Sequence, residues 1–136
     1  MSSEAFRPRP AYTHLVVPFD GSVAAEHAAV TAARLATPSG AALHVLHVRD
    51  EAGVAGDRVA TGARALAART GATVEVRDVP GGHRRPAAVI DAYLRELGDA
   101  TAVMATHGRG RLASAVLGSV TADVLDLGHA VVAVGP

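Results

Sequence analysis

The stretch Met104-Ala-Thr-His-Gly-Arg-Gly-Arg-Leu-Ala-Ser-Ala-Val-Leu-Gly-Ser-Val-Thr121 decides how the rest of the chain is read. It continues the apolar run Thr101-Ala-Val-Met104, which reads as a buried strand. It then opens into a loop of glycine and arginine and closes on Gly118-Ser119, just before a helical pattern. A strand, a glycine loop and a helix N-terminus in that order make a layout that binds phosphate. Glycines let the backbone approach the anion, and the first turn of a helix offers unpaired N–H groups and a positive dipole end. The dipole contributes only about 0.3–1 kcal/mol when exposed and up to ~2 kcal/mol when partly buried, so tight binding needs several backbone donors together.

Two simpler phosphate sites are excluded. The chain contains no lysine, which rules out a Walker A loop. Gly108-Arg-Gly110 is followed by Arg-Leu-Ala, so the dinucleotide fingerprint fails. What remains is a longer frame, in which nine residues separate Gly108 from Gly118-Ser119.

A chain of 136 residues fits a single domain, with residues 1–11 expected as a flexible N-terminal tail because Pro8 and Pro10 oppose regular structure. Lys+Arg and Asp+Glu balance at 13 each, so net charge steers the chain to neither nucleic acid nor an anionic membrane. No apolar run approaches the ~20 residues of a membrane span. The start, Met1 to Pro10, lacks the apolar core of a secretory signal. The absence of cysteine excludes disulfides and thiolate chemistry and fits a cytoplasmic location.

Working outward, His14-Leu-Val-Val-Pro18 is a buried strand delivering the acidic loop Phe19-Asp-Gly-Ser22. Ser22 caps an alanine-rich helix from Val23 to Thr37, which Pro38-Ser-Gly40 is expected to stop. Ala42 to Val48 is the second strand, Val54 to Thr70 the second helix, and Thr73 to Val79 a third strand with period-two alternation. Pro80 to Arg85 is a loop, and Pro86 starts a third helix whose inner face is Val89, Ile90, Tyr93, Leu94 and Leu97, ended by Gly98. After the fourth strand and the glycine loop, a helix from Val120 to Leu127 stops at Gly128, and Ala130 to Val134 is the fifth strand.

Strands alternating with helices predict an α/β fold: an open parallel five-stranded sheet with helices on both faces. Ligands of such sheets sit past the carboxyl ends of the strands, where strand order reverses. The Asp20 loop and the glycine loop share one ligand only if strands one and four are neighbours, which implies the order 3-2-1-4-5. His44 and His47, three apart on a strand, point to opposite faces and do not share a metal ion.

With both loops identified, the chain resembles the universal stress protein family, in its ATP-binding branch, whose fold is Rossmann-like and akin to the adenine nucleotide alpha hydrolases. Val16-Val-Pro-Phe-Asp-Gly-Ser22, Leu46-His-Val48, Met104-Ala-Thr-His-Gly-Arg-Gly110 and Leu117-Gly-Ser-Val120 carry the resemblance, which extends from Thr13 to Val134 and makes 12–136 a single domain of that family. The family motif is G-x-x-G, nine residues, then G-[S/T]. Gly108 and Gly118-Ser119 hold their places, and Ala105 stands where the first glycine belongs. A methyl group there costs little if the backbone keeps negative φ, and on the order of 1 kcal/mol if it needs positive φ. Ala122 stands where Glu or Gln would complete a capping box with Ser119.

The resemblance implies ATP, with Mg²⁺ on its phosphates, as the ligand. Asp20 would bond the ribose, with Pro18 and Phe19 shaping the pocket, and Val48 would meet adenine through its main chain. Gly108, Gly118, Ser119 and Val120 would wrap the phosphates. Met104, Ala105, His107 and Arg109 fall in the same motif, with Arg109 and Arg111 in reach of phosphate oxygens. It implies a homodimer through the last strand, Ala130–Val134, and signalling to a regulatory protein partner. Phosphoryl transfer needs a positioned base and charge neutralisation. No base or metal-binding carboxylate pair is recognisable, so no dedicated catalysis is expected, and at most weak ATP hydrolysis or autophosphorylation. A ligand-free interaction protein of the same fold is the alternative.

Overall fold

The computed structural model describes residues 12–49, 54–79, 86–106 and 118–135. Strands β1 (His14–Pro18), β2 (Ala42–Arg49), β3 (Thr73–Asp78), β4 (Ala100–Ala105) and β5 (Ala130–Val134) alternate with helices α1 (Val23–Ser39), α2 (Val54–Thr70), α3 (Pro86–Leu97) and α4 (Ser119–Asp126). The expected tail 1–11 and the expected loop Pro80–Arg85 lie outside the described residues.

All four strand pairings are parallel, in the order β3-β2-β1-β4-β5. This is the order that convergence of the two loops requires. Alternation along β1 and β2 feeds two cores. Leu15, Val17, Leu43 and Val45 pack under α1 and α2, while Val16 and Leu46 pack under α3 and α4. Each fully buried leucine or valine contributes roughly 1.5–3 kcal/mol. The face of α1 against the sheet is all alanine (Ala25, Ala28, Ala29 and Ala32 are buried), which lets this helix lie close to the strands.

Two expectations about helix ends are corrected. Pro38 lies inside α1 rather than ending it at Thr37; the helix runs to Ser39, and Gly40 of the same expected stop caps it at φ +67°. Proline is costly in a helix interior because it loses a hydrogen bond and clashes with the carbonyl four residues back. Pro38 leaves the Arg34 carbonyl without its intrahelical donor, but the helix runs only one residue further, and the Ser39 hydroxyl donates to the neighbouring carbonyls of Leu35 (3.0 Å) and Ala36 (3.3 Å). At the other end of the chain, Ser119 is not the cap of α4. Gly118 occupies the cap position and Ser119 is the first helical residue, so no side chain caps this helix.

On the α3 side, His44 is buried among hydroxyls. Tyr93 Oη and Thr73 Oγ1 converge on its Nδ1 at 2.9 and 3.2 Å, and its Nε2 lies 3.1 Å from His14 Nδ1. Two donors on Nδ1 fit the tautomer in which Nε2–H donates to His14. Burial, and secondarily the neighbouring His14, push the His44 imidazole below its usual 6.5. His47 lies on the other face, against α1 and α2, so the two histidines share no ion. Among the described residues no three His, Asp or Glu side chains are grouped to hold a metal, and no helix is long and apolar enough to cross a membrane.

Candidate functional site

The sheet parts at the carboxyl ends of its two central strands. The β1–β4 ladder ends with Val16 opposite Ala102, whereas β1 continues beside β2 to Pro18 opposite Leu46. On its other side β4 continues beside β5 to Ala105 opposite Val134. A crevice therefore opens at the point where strand order reverses, the place where open α/β sheets take ligands.

On the β1 side, Phe19 holds the wall and Asp20 the rim. Phe19 N–H donates to the Leu46 carbonyl at 2.8 Å, and the Phe19 carbonyl accepts from His47 Nδ1 at 3.0 Å. Its ring is buried against α2, 3.7 Å from the position a side chain on Gly62 would take. Asp20 is exposed, and its Oδ1 accepts the Ser22 N–H at 2.9 Å, while Ser22 Oγ caps α1 by accepting Ala25 N–H at 3.1 Å. Gly21 completes the turn at φ +86°, with Val59 only 3.3 Å from where a β-carbon would sit. The positive φ favours glycine, and a β-carbon there would need Val59 to give by a few tenths of an ångström.

Val48 stands beyond the end of β1. Successive residues of a strand turn their N–H and C=O groups to opposite sides. The Leu46 carbonyl meets Phe19 on the β1 side and the Arg49 carbonyl meets Val79 on the β3 side. Val48 shares its parity with Leu46, so its N–H and C=O are turned toward the crevice, where β1 pairs no further. Arg49, next in line, is already engaged: its Nε and Nη2 donate to Asp78 at 2.6 and 3.2 Å. That hydrogen bond holds the Asp78 carboxyl below the usual carboxylate range.

The β4 side carries the helix N-terminus. Met104 is buried in the core and Ala105 ends the strand. No described residue other than glycine has positive φ, so the methyl group of Ala105 adds no backbone strain. Thr106 N–H donates to the Val134 carbonyl at 2.9 Å, and the Thr106 carbonyl accepts Gly118 N–H at 2.7 Å. The backbone bond between Thr106 and Gly118 draws the two ends of the loop segment together. A β-carbon on Gly118 would come within 3.3 Å of the Thr106 carbonyl, so only glycine fits without displacing it. Thr121 Oγ1 donates to the Ala105 carbonyl at 3.0 Å and seats the first turn of α4 on the strand end.

The first intrahelical donor of α4 is Ala122, which bonds the Gly118 carbonyl at 3.0 Å. The amides of Ser119, Val120 and Thr121 precede it and make up the free donors of the first turn. Gly118 N–H is not among them, because it bonds Thr106. His107, Gly108, Arg109 and Arg111 lie outside the described residues.

The structure thus brings Pro18, Asp20 and Val48 to one side of a crevice and Ala105, Gly118, Ser119 and Val120 to the other. Three residues went unread in the sequence: Thr106, Thr121 and His47 as the holder of the Phe19 carbonyl. Thr121, three positions after Gly118, was legible as a first-turn hydroxyl. The role of His47 depends on register across two strands and left no local signal.

Comparison with known proteins identifies the family and the fold. The model of the universal stress protein family matches residues 11–134. A universal stress protein solved in complex with cAMP has a TM-score of 0.65 and 27% identity, over 92% of this chain and 98% of that one. A protein of the family from Burkholderia pseudomallei has a TM-score of 0.67 and 25% identity, over 93% and 98%. The universal stress protein from Archaeoglobus fulgidus in complex with dAMP shares the fold, with a TM-score of 0.66 and 22% identity over 90% and 97%. No curated protein matches the chain by sequence. Given the strand order, the crevice and a family match that spans nearly all of it, the chain belongs to the universal stress protein family.

Proposed function

We propose that this protein is an ATP-binding regulatory module of the cytoplasm, taking the nucleotide in the crevice between β1 and β4. The observation that carries this reading is the parting of the ladder after Val16 and Ala102, with an uncapped helix N-terminus on one lip. Ser119 and Val120 offer N–H groups to phosphate, as does the Ser119 hydroxyl. Gly118 permits the close approach, and Gly108, His107 and Arg109, outside the described residues, would add to the same phosphate contacts. Val48 presents one N–H and one C=O, the donor–acceptor pair that adenine's N1 and N6–H₂ complement. Asp20 has a second carboxylate oxygen for the ribose, with Pro18, Phe19, Met104 and Ala105 forming the surrounding wall. Mg²⁺ would be carried by the phosphates. Two relatives of this fold were solved with adenine nucleotides, cAMP and dAMP, which supports an adenine ligand.

Family resemblance adds a homodimer through Ala130–Val134 and a regulatory partner that reads the nucleotide state. Residues 12–136 act as the single domain that does this.

Calorimetric titration of purified protein with ATP, with and without Mg²⁺, is the direct test, alongside mass spectrometry of nucleotide retained through purification. Binding is expected, and Asp20→Ala is expected to weaken it about 10- to 100-fold, the equivalent of one charged hydrogen bond. No binding at millimolar ATP, with no retained nucleotide, would leave a ligand-free interaction protein of the same fold.

A further inference from the structure

We propose that the groove between α1 and α2 is a docking surface for an acidic, amphipathic segment of a partner protein. The two helices lie side by side over one face of the sheet, and between them runs an open cavity of about 340 Å³. Its floor is aliphatic, formed by Val30, Ala33 and Leu66, and its rim carries Arg34 and Arg69. Val30 is 43% exposed, a large apolar side chain left half outside the core.

Charge decides what fits there. Among the described residues Arg49, Arg77 and Arg95 are each held in an ion pair, whereas Arg34 and Arg69, like Arg58 and Arg64 elsewhere on α2, enter none. The rim hydroxyls do not compete for an incoming group. Thr37 donates to the Ala33 carbonyl at 3.0 Å and Thr70 to the Leu66 carbonyl at 2.8 Å. Two unengaged guanidinium forks flanking an apolar floor complement carboxylates flanking an apolar side chain.

The wider surface has the same sense. The chain is neutral overall, but its charges are segregated between the two faces of the sheet. α1 and α2 carry four arginines against Glu26 and Asp57, while α3 and α4 carry one arginine against Asp91, Glu96, Asp123 and Asp126. An acidic partner is therefore steered to the groove and away from the opposite face. Single-stranded nucleic acid fits poorly because the floor has no aromatic ring for a base to stack on. A lipid surface needs a convex apolar face, and this one is concave.

The groove is separate from the crevice. α1 starts just after the carboxyl end of β1 and ends just before the amino end of β2, so its last turns lie at the opposite edge of the sheet. Arg69 lies in the last turn of α2. Docking at the groove thus stands or falls independently of nucleotide binding.

The test is fluorescence anisotropy with a fluorescein-labelled peptide of sequence EELLEELLEELL, using the full chain. Micromolar binding is expected. It should weaken at least about tenfold in the double variant Arg34→Glu/Arg69→Glu, and weaken as salt shortens the Debye length. The lysine peptide KKLLKKLLKKLL should bind the reversed variant better than the native chain, a rescue that misfolding does not produce. The peptide EESSEESSEESS, without the apolar side chains, should bind more weakly than the leucine peptide. Absence of binding, equal binding to the reversed variant, or equal binding of EESSEESSEESS each overturns the proposal. So does tighter binding of a single-stranded RNA or of phosphatidylserine vesicles with the same dependence on the two arginines.

Discussion

One hydroxyl sets where α4 begins. Thr121 is 3% exposed and its Oγ1 reaches back to the Ala105 carbonyl, so the helix start is tied to the end of β4 rather than to its own cap. Thr121→Val keeps the shape and removes the donor. Leaving the part-buried carbonyl without its partner is expected to cost about 1–3 kcal/mol, read as a lowered urea midpoint with unchanged slope. A change of only a few tenths would mean that α4 is seated by packing alone. His44 offers a second check, through pH. Its folded imidazole resists protonation because it is buried and faces His14. The unfolded chain takes up that proton as pH falls through 6.5 and the folded chain does not. The contribution of His44 to stability is therefore full above that value and is lost below it, at a rate of at most about 1.4 kcal/mol per pH unit. Urea midpoints measured in neutral and mildly acidic buffer should separate more for the native chain than for His44→Gln. Equal separation would assign the acid sensitivity to other groups.

At the scale of elements, α1 tests how a proline is tolerated. Pro38→Ala restores one backbone hydrogen bond, worth about 0.5–1.5 kcal/mol, and returns to the unfolded chain an entropy worth about 0.4–1 kcal/mol. The two effects oppose each other, so the variant should melt close to the native protein; a gain above about 2 kcal/mol would reveal ring strain in the last turn. The penalty at Pro38 does not end the helix by itself; Gly40, at φ +67° just past Ser39, closes it. Most elements were legible because hydrophobic period and glycine punctuation agree, as in α3, where Val89, Ile90, Tyr93 and Leu94 are all buried. What holds elements to each other was not. His129, at the head of β5, donates to Asp91 on α3 at 2.6 Å, and Arg95 donates to the same carboxylate at 2.9 Å. The His129 bond leads in holding the Asp91 carboxyl below its usual range. Nothing local in either segment predicts that pairing.

Across the whole molecule, the sheet order followed from a functional argument, because two ligand loops far apart in sequence had to meet. The place of the crevice followed with it, but its extent was not legible, since that depends on where the β1–β4 ladder stops, and register between distant strands has no signature in either one. The same reasoning about register gives a test of the proposed dimer. β5 is an edge strand, bonded to β4 on one side only. The Val134 carbonyl accepts Thr106 N–H, so Val134 and Val132 turn their backbone groups inward, and Val131 and Ala133 turn theirs outward. An open edge of alanine and valine, carrying no charge to blunt it, invites a second strand. Proline on an edge strand is tolerated where its missing N–H would face away from the sheet. Ala133→Pro should therefore delete a donor that only a partner strand would use and leave every β4–β5 bond in place. Light scattering after gel filtration is expected to show a dimer for the native chain and a monomer for Ala133→Pro, with unchanged far-UV circular dichroism. Val132→Pro removes an inward donor instead and should lower the melting temperature as well. If Ala133→Pro stays dimeric while folded, the subunits meet through another surface.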